Sequence, residues 1–465
     1  MRTSCRILLL ATLATALPAA AAERSAYDMK AREIFAKVIS MPTSQGLGNV
    51  PKMAEYLAGE FRQAGFPDSD IHILPVGETA SLVVRYHGDG SGGRPILLMA
   101  HMDVVTAKRE DWQRDPYTLV EENGYFYGRG TADIKQGVAE LTSTFLRLKA
   151  EKFVPTRDLI IYFSGDEETD GKTAQDAVRN HRDLVDAEYA LNADGGGGGI
   201  AEDGHDVSYG LQAAEKTYAS YELTVHNPGG HSSAPRPDNA IYQLGDALHQ
   251  LQAFKFPVMW NDTTIAAFRI TGPANHDATG QAMSAFAANP KDAAAIAVLD
   301  ADPAQVGRIR TTCIPTLLRG GHAENALPQS AVATINCRIF PGVGVDEIKA
   351  TLQEIAGKGV EVATIGEPTS SPASPLRADV VDAVTKVVHA LHPGIPVVPS
   401  QASGASDGLY FRAAGIPTYG TGSSFMKDSD DFSHGLNERL PVASFYQDLQ
   451  HWYLLVKEVA GPKPK

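Results

Sequence analysis

The sequence predicts an α/β fold, in which a mostly parallel sheet is flanked by helices and interrupted by an inserted α+β domain. Buried-strand and amphipathic-helix patterns alternate through residues 23–215 and return in residues 369–465, an order typical of parallel sheets covered by helices. Residues 216–368 differ, because their strands alternate polar and apolar positions, as half-exposed antiparallel strands do. The length agrees, since 465 residues at roughly 150 per domain predict two or three domains.

The elements of residues 23–215 follow from the spacing of their apolar side chains. Unbroken apolar runs predict strands buried on both faces, and apolar residues at helical spacing predict amphipathic helices. In order, these patterns predict a helix over 54–64, strands over 81–86 and 95–100, a helix over 133–150, and strands over 159–163 and 189–192. The glycine run Gly195–Gly199 follows the last strand, and we expect a tight turn there.

The inserted domain and the final segment follow from the same rules. In residues 216–368 the patterns predict a strand over 218–225, a helix over 239–251, a strand over 331–340 and a helix over 345–357. After residue 369 they predict a helix over 377–390, a strand over 417–419 and a helix from about 444. The final segment therefore completes the sheet that the first segment begins.

The first 22 residues have the three parts of an export signal. Arg2 and Arg6 supply the charged start, Ile7 to Leu17 the apolar stretch, and Ala19 to Ala22 a small-residue cleavage site. A short N-terminal anchor or a buried helix is the alternative. No later stretch of the sequence approaches the roughly 20 apolar residues that a membrane span needs. We therefore expect an exported protein, either periplasmic or secreted.

The charge balance bears on the class of partner. Lys and Arg total 41 against 55 Asp and Glu, a net charge of −14. This field repels phosphate backbones and anionic lipid surfaces, which argues against a nucleic-acid partner.

Two cysteines, Cys313 and Cys337, lie beyond the predicted signal. An oxidising compartment would allow them to pair. The alternative is two small buried side chains. Their spacing does not match a zinc knuckle or a redox motif.

Metal-ligand residue types stand where three of the predicted buried strands end. They are His101 and Asp103 after the first strand, Asp166, Glu167 and Glu168 after the second, Asp194 after the third, and Asp133 at the start of the intervening helix. Sites in open α/β sheets form at the carboxyl ends of the strands, so we expect these side chains to converge.

Each of these acids alone is more often a helix cap than a ligand. Carboxylates that converge together with an imidazole, however, repel one another unless a cation lies between them. Carboxylates with few histidines and no cysteine suit two hard or borderline ions such as zinc. The spacing of His101 and Asp103 adds that both side chains face the same way in an extended segment, so that Asp103 could orient the imidazole.

The ordered set of motifs resembles one family of enzymes over essentially the whole chain after the signal. The motifs are His101-Met-Asp103, Gly128-Arg-Gly-Thr-Ala-Asp133, Gly165-Asp-Glu-Glu168, Asn192-Ala-Asp194, Gly229-Gly-His-Ser-Ser233, Asn325-Ala-Leu-Pro328, Arg338 and Ser433-His434-Gly435. The family is the dinuclear zinc hydrolases that include aminoacylase, carboxypeptidase S, carboxypeptidase G, carnosinase-type dipeptidases and succinyl-diaminopimelate desuccinylase. Any single motif would be a weak signal, whereas the ordered set is specific.

The resemblance implies a zinc-exopeptidase-like fold and two bound Zn²⁺ ions, for which Co²⁺ or Mn²⁺ are possible substitutes. It implies that Asp133 bridges the ions, that His101 and Asp194 bind one, and that Glu168 and His434 bind the other.

The resemblance also implies the catalytic roles. Asp103 would orient His101, and Glu167 would be the general base that takes a proton from a metal-bridged water. The resulting hydroxide would attack an amide carbonyl, and Glu167 would pass the proton to the departing amine.

In this family the inserted domain is a lid that often mediates dimerisation, so the resemblance implies a homodimer through residues 216–368. His231 would reach an active site, commonly that of the other subunit, and stabilise the oxyanion; a turn histidine bonded to a neighbouring serine is the alternative. Arg338 and Asn325 would hold the carboxylate of the substrate, for which the planar fork of arginine is suited. For Arg338 a surface ion pair is the alternative.

The expected substrate is a peptide or an N-acyl amino acid, and the expected enzyme is an exported metallocarboxypeptidase or dipeptidase. Asp194 and the long insertion of residues 255–312 are similar to the carboxypeptidase S branch. Gly404-Ala-Ser-Asp407 resembles a loop near the substrate in those enzymes, with a plain turn as the alternative.

Two other functions stay open. An N-acyl-amino-acid deacylase would use the same metal site. A non-catalytic metal- or peptide-binding protein would usually have lost the base, yet Glu167 is present with all five implied ligands.

Overall fold

The computed structural model describes residues 24–462 of the chain, so the predicted signal lies outside the described residues. The strands are β1 Ile71–Val76, β2 Thr79–Tyr86, β3 Ile96–His101, β4 Val120–Glu122, β5 Tyr125–Tyr127, β6 Leu159–Ser164, β7 Tyr189–Asn192, β8 Gly197–Ile200, β9 Asp206–Glu215, β10 Thr217–His226, β11 Gly230–His231, β12 Thr312–Gly320, β13 Ala326–Leu327, β14 Ser330–Ile339, β15 Glu361–Ile365, β16 Val397–Ala402, β17 Thr418–Gly420, β18 Phe425–Met426 and β19 Arg439–Pro441. The α-helices are α1 Ala26–Ile39, α2 Val50–Gln63, α3 Lys135–Ala150, α4 Lys172–Asn180, α5 Arg182–Val185, α6 Ala240–Ala253, α7 Asp262–Ala274, α8 Ala278–Ala288, α9 Ala293–Ala301, α10 Val345–Ala356, α11 Ala378–Leu391, α12 Gly408–Ala413 and α13 Val442–Ala460.

The large sheet has ten strands in the order β1-β2-β6-β3-β7-β17-β9-β8-β18, with β16 beside β9. Its centre is parallel, because β6, β3, β7 and β17 run in one direction. Helices cover both faces, which confirms the predicted α/β class. The strands β16, β17 and β18 complete this sheet, as expected from the return of the helical pattern, whereas β19 pairs with β5 in a separate three-stranded sheet.

The burial of β3 explains why a continuous apolar run predicts a central strand of the large sheet. All six of its residues are buried, and so are all six of β6. Leu98 packs into the core that contains α1, α2, α3 and α13, whereas Leu97 packs into the smaller core on the opposite face. Alternate side chains of one strand thus fill two cores, which requires a continuous apolar run rather than an alternating one.

The inserted domain has its own antiparallel sheet, in the order β12-β14-β10-β15. The helices α6 and α10 pack against one face of this sheet and enclose a separate apolar core. A disulfide joins Cys313 of β12 to Cys337 of β14, where the two residues are directly opposite in the register. The structure therefore supports the first alternative for these cysteines, in which they pair.

The helices α7, α8 and α9 form a further unit between α6 and β12. Phe268, Phe286 and Leu299 are fully buried in a core that belongs to this unit. The unit also contacts the large sheet, because α7 packs against β16 and the Asn261 amide donates to Gln401 Oε1 at 3.2 Å. It therefore bridges the inserted domain and the large sheet.

The expectation of a tight turn over Gly195–Gly199 is correct only for the first two residues of this run. Residues Gly197–Ile200 form β8, which pairs with β9 and β18. A side chain at Gly198 would overlap the ring of Phe425, since a Cβ there would lie 2.1 Å from two of its carbons. These glycines therefore serve close strand packing, while Gly195 and Gly196, with positive φ, still make the turn that leads into β8.

Within residues 24–462, no helix combines the length and the apolar character that crossing a membrane requires.

A buried pair of acids joins the helices α3 and α13. Glu140 and Asp448 are each about 1% exposed, and Ser424 donates to Asp448 Oδ2 at 2.6 Å. Burial raises the pKa of Asp448 to about 8, and burial together with the charge of Asp448 raises the pKa of Glu140 well above its ordinary value. Both carboxyls are therefore held in the neutral form in the folded protein.

We predict that Asp448→Asn changes the pH dependence of stability. In the folded protein Asp448 keeps its proton up to about pH 8, whereas its ordinary pKa is 3.8. The folded state thus binds more protons than the unfolded state between these values, so stability falls as pH rises through this window. Because asparagine does not titrate, the Tm of the variant relative to wild type should be higher at pH 8 than at pH 5.

The control is Asp382→Asn on the exposed side of α11, for which the Tm difference should be the same at both pH values. An equal Tm difference for Asp448→Asn at pH 5 and pH 8 would contradict the neutral, buried state of this carboxyl.

Candidate metal centre

Three neighbouring parallel strands, β6, β3 and β7, end at the same edge of the large sheet. His101 is the last residue of β3, Glu168 follows β6, and Asp194 follows β7. Asp133 precedes α3, and a cis peptide bond links it to Ile134. The predicted residues therefore converge at the carboxyl ends of the strands, as expected for this class of sheet.

Two groups of three ligand residues share one carboxylate. In the first group, His101, Asp133 and Asp194 each place a ligand atom within 4.8 Å of the others. In the second group, Asp133, Glu168 and His434 do the same. We call these five residues the metal cluster.

Asp133 is central because each of its oxygens faces a different imidazole. Its Oδ1 lies 3.1 Å from His101 Nε2, and its Oδ2 lies 3.1 Å from His434 Nε2. His434 Nε2 also lies 2.8 Å from Glu168 Oε2. The two imidazoles thus approach one carboxylate from opposite sides, which is the arrangement of a bridging ligand.

The electrostatics of the metal cluster show how strongly its charges interact. Burial raises the pKa of Asp194 to about 8 and, together with the charge of Asp133, that of Glu168 to about 7. Burial would also raise the pKa of Asp133, but contacts with His101 and His434 hold it well below its ordinary value. The contact with Asp133 raises the pKa of His434 to about 9. The carboxylates therefore repel one another, and positive charge at this place stabilises them.

The donor set fits two divalent metal ions. Imidazole nitrogen and carboxylate oxygen are ligands that zinc accepts, and the sharing of one carboxylate places two such sites side by side. Within residues 24–462, the carboxylates of Asp133 and Glu168 form ion pairs with His101 and His434 and with no lysine or arginine.

Asp103 touches both His101 and the segment that carries the acids. The backbone oxygen of Asp103 lies 3.1 Å from His101 Nδ1, and its carboxylate Oδ1 lies 3.5 Å from the same nitrogen. The carboxylate also accepts hydrogen bonds from the backbone N–H groups of Glu167 and Glu168 at 3.1 and 3.0 Å. Asp103 thus fixes the imidazole and the acidic turn together, whereas the spacing pointed only to the imidazole.

Glu167 lies beside the metal cluster without belonging to either group of ligands. Its Oε2 is 4.0 Å from His101 Nε2. Burial raises the pKa of Glu167 well above its ordinary value, and the charge of Asp194 raises it further. The neighbouring Asp166 has a different role, because its carboxylate accepts from the backbone of Lys172 and Thr173 at the start of α4.

A buried ion pair that the sequence analysis missed holds the cluster in place. Arg129 donates to Glu438 Oε2 at 2.6 Å, and both side chains are at most 3% exposed. Glu438 also accepts from the backbone N–H of Asp133 at 3.1 Å, and Arg129 donates to the backbone oxygen of His434 at 3.3 Å. The pair therefore ties the loop of Asp133 to the loop of His434. The sequence contained one sign of this ion pair. Arg129 lies within a glycine motif, and an arginine in such a position is expected to have an acidic partner.

Arg338 reaches from the inserted domain to the large sheet. Its guanidinium donates to the backbone oxygen of Ser403 at 2.6 Å and lies 4.7 Å from the centroid of the Tyr218 ring. Ser403 begins the loop that contains Asp407, so Arg338 is not the surface ion pair of the alternative interpretation. Asp407 is buried, and burial raises its pKa to about 7. The loop is more than a plain turn, because the side chain of Asp407 lines the same cavity as Glu167.

His231 and Asn325 lie together, but away from the metal cluster. His231 pairs with Ala326 across β11 and β13, and the backbone oxygen of Asn325 accepts from Ser232 at 3.1 Å. Both side chains are exposed, and Ser233 donates to His231 Nδ1. Over the described part of the chain, no hydrogen bond or ion pair joins His231 to the metal cluster.

Comparisons with known proteins agree with this geometry. The model of Peptidase family M20/M25/M40 matches residues 97–458. N-fatty-acyl-amino acid synthase/hydrolase PM20D1 of Homo sapiens is 27% identical over 453 residues, 92% of this chain and 87% of that protein. Probable carboxypeptidase S-like 2 of Dictyostelium discoideum is 25% identical over 415 residues, 86% of this chain and 78% of that protein.

Among solved structures, the M20 family metallo-carboxypeptidase Sso-CP2 from Sulfolobus solfataricus has a similar fold. Its TM-score is 0.69 at 16% sequence identity, and the match covers 92% of this chain and 99% of that one. The resemblance inferred from the motifs is thereby confirmed. With a family match over most of its length and a candidate metal centre at its strand ends, the chain belongs to Peptidase family M20/M25/M40 and is a hydrolase of the metallopeptidase type.

Proposed function

We propose that the protein is an exported dinuclear zinc peptidase, a carboxypeptidase or dipeptidase, that hydrolyses the amide bond next to an amino acid with a free carboxylate. The observation that carries this proposal is the pair of ligand groups that share Asp133 beside Glu167. Membership of the peptidase family supports it.

Two Zn²⁺ ions are the proposed cofactors, with Co²⁺ or Mn²⁺ as substitutes. His101, Asp133 and Asp194 would hold one ion, and Asp133, Glu168 and His434 the other. When bound, two divalent ions lower the pKa of a shared water and polarise the amide carbonyl.

Glu167 is the proposed general base. It is the acid beside the metal cluster that belongs to neither ligand group, and its environment favours the protonated form. In its ionised form such a carboxylate is a stronger base than an ordinary glutamate, so it can accept a proton from the attacking water and deliver it to the amine nitrogen as the amide bond breaks. Asp103 is a positioning residue, because it holds both His101 and the backbone of Glu167.

Arg338 is the proposed anchor of the substrate carboxylate. Its guanidinium lies where the inserted domain meets the loop that begins at Ser403, close to the cavity that Glu167 lines. A planar guanidinium binds a carboxylate through two parallel hydrogen bonds. The role proposed for Asn325 depends on the arrangement of two subunits.

We propose a homodimer through the inserted domain. The strand β12 is at the edge of its sheet, and Leu317 and Leu318 on it are 64% and 69% exposed. Ile241 and Tyr242 of α6 are exposed as well. A second copy could pair along this edge and cover these side chains. In such a dimer His231 and Asn325, whose side chains are exposed, would complete the site of the partner.

One alternative is an N-acyl-amino-acid deacylase with the same metal centre. The observation that favours it is the similarity to PM20D1, whose name describes an N-fatty-acyl-amino acid synthase/hydrolase. Export through the segment of residues 1–22 is part of the proposal in either case, and its test is N-terminal sequencing of the mature protein.

The proposal is tested by measuring release of free amino acid from matched dipeptides and N-acyl amino acids, with the mature protein loaded with zinc. We expect cleavage that a chelator abolishes and added zinc restores, because the ligand groups bind no substrate without metal. Faster cleavage of dipeptides supports the peptidase, and faster cleavage of acyl substrates supports the deacylase. No chelator-sensitive release from either panel would refute both.

We predict that Glu167→Ala retains metal but loses turnover, by about a hundredfold to ten-thousandfold, because the proton carrier is gone while the ligands remain. Zinc content by elemental analysis and kcat on the preferred substrate measure the two effects. The matched control is Glu110→Ala, an exposed acid, which should keep both. Near-normal turnover of Glu167→Ala would show that another group is the base.

We predict that His231→Ala and Glu167→Ala complement each other in a mixed dimer. If His231 acts in the site of the partner, one of the two sites in the mixed dimer has both residues, so the dimer should have about half of the wild-type activity. The measurement uses mixed dimers purified through two different tags, with each parent dimer as control. A mixed dimer as inactive as both parents would place His231 in its own subunit's site, whereas an active His231→Ala parent would place His231 outside catalysis.

A further inference from the structure

A cavity of about 340 Å³ opens beside Glu167, between the large sheet and the inserted domain. Tyr218 of β10 and Ile365 of β15 line it from the inserted domain, with Glu367 just beyond β15. Asp407 and Tyr410 line it from the large-sheet side. The cavity thus has walls from both domains and the proposed base at one end.

The position of Arg338 decides which part of a substrate would enter this cavity. The guanidinium of Arg338 lies 4.7 Å from the ring centroid of Tyr218, which is itself in the cavity wall. A substrate whose carboxylate is at Arg338 and whose amide is at Glu167 has one carbon between them, the Cα of its last residue. Because Glu167 and Tyr218 both line the cavity and Arg338 lies on the Tyr218 ring, the cavity adjoins this carbon and offers space for the side chain that the carbon bears. This step rests on the proposed function.

The cavity wall is acidic. Glu167, Asp170, Glu367 and Asp407 all contribute to it, and no lysine, arginine or histidine of the described chain does. Asp170 is paired with Lys172 at 2.5 Å, and Glu167 is the proposed base. Within residues 24–462, Glu367 and Asp407 are therefore the acids of the cavity wall that form no ion pair and are not used in the proposed chemistry.

Asp407 gives independent evidence for a ligand. Its side chain is only 5% exposed, yet Oδ1 has no hydrogen-bond partner within residues 24–462. A buried carboxylate oxygen without a partner is costly, and a donor from a bound group would offset that cost.

The remaining walls suit an apolar stem with a positive end. The aromatic residues Tyr218 and Tyr410 and the aliphatic residue Ile365 line the cavity. Aromatic faces bind cations, and long basic side chains bury their methylene groups along apolar surface while the charged head stays polar.

We propose that this cavity selects substrates whose carboxyl-terminal residue has a long cationic side chain, such as lysine or arginine. The methylene stem lies against Tyr218, Ile365 and Tyr410, and the cation lies between Glu367 and Asp407. Selection then depends on the residue that bears the free carboxylate and is independent of the group on the other side of the amide.

The test compares kcat/KM for Ala-Lys and Ala-norleucine with the zinc-loaded protein, since norleucine keeps the lysine chain length without the ammonium group. We expect Ala-Lys to be better by about tenfold, and N-acetyl-lysine to exceed N-acetyl-norleucine by a similar ratio. Lys-Ala and norleucine-Ala should differ little. Equal values for Ala-Lys and Ala-norleucine would overturn the proposal, and a preference confined to Lys-Ala would place the cavity on the acyl side.

Glu367→Gln provides the matched variant, because this exposed side chain is in the cavity wall and its loss leaves the fold intact. We expect the Lys/norleucine ratio to fall about threefold or more in this variant. Glu361→Gln, an exposed acid on the same strand as Ile365 but outside the cavity, is the control and should keep the ratio. If the Lys/norleucine ratio is unchanged both in Glu367→Gln and in Asp407→Asn, neither acid recognises the cation and the proposal is wrong.

Binding of the free amino acids separates this inference from the proposed function. Calorimetry with the zinc-loaded protein should give tighter binding of L-lysine than of L-norleucine. If no panel substrate is hydrolysed, the proposed function fails, while the calorimetric comparison still decides whether the cavity prefers a cation. Equal binding of both amino acids together with normal hydrolysis would refute the inference alone.

Discussion

The repulsion among four carboxylates around His101 is the constraint on which the rest of the structure depends. Asp133 and Asp194 each place an oxygen within 4.8 Å of that imidazole, and Glu167 Oε2 lies 4.0 Å from it. Glu168 lies within 4.8 Å of Asp133, and burial strengthens the interaction among these acids. Such an arrangement exists only if the surrounding fold is rigid enough to hold it and if cations neutralise it. The parallel centre of the large sheet supplies the rigidity, because three adjacent strands, each buried on both faces, end at one edge.

The loops that complete the metal cluster need a second support, because they are not part of the sheet. Arg129 and Glu438 form it by bonding to the backbone of both loops at once. A buried ion pair adds little to stability by itself, since desolvation opposes the attraction. Here each charge also accepts or donates several backbone hydrogen bonds, so the pair has a positional role. The same logic applies to Asp103, which holds His101 and the acidic turn in one contact set.

The sequence was sufficient to predict the large sheet and the metal ligands, because both are visible in short stretches of the sequence. The run over 95–100 has the composition of a strand that is buried on both faces. Because sites in this class of sheet form at the carboxyl ends of the strands, a ligand is expected where this strand ends. Glu438 left no such signal, since its partner is more than three hundred positions away. The strand at Gly197–Ile200 was missed because glycine disfavours strands in isolation, and only the ring of Phe425 explains it. The spacing of apolar residues along the sequence predicts which side chains are buried. It does not predict which residues far apart in the chain pair with each other in the structure.

The two domains contribute different residues to the metal cluster and to the cavity beside Glu167, and this difference suggests different roles for them. Every residue of the metal cluster belongs to the large-sheet segments, and in the proposed function the chemistry of these residues does not depend on the side chains of the substrate. Tyr218, Arg338 and Glu367 come from the inserted domain, and in the proposed function they contact the part of the substrate beyond the amide bond that is cleaved. The contact of Asn261 with Gln401 ties the additional helical unit to β16, which leads directly into Ser403. A change in that unit would therefore shift the loop that Arg338 binds, so substrate choice can vary through the insertion while the metal centre stays the same.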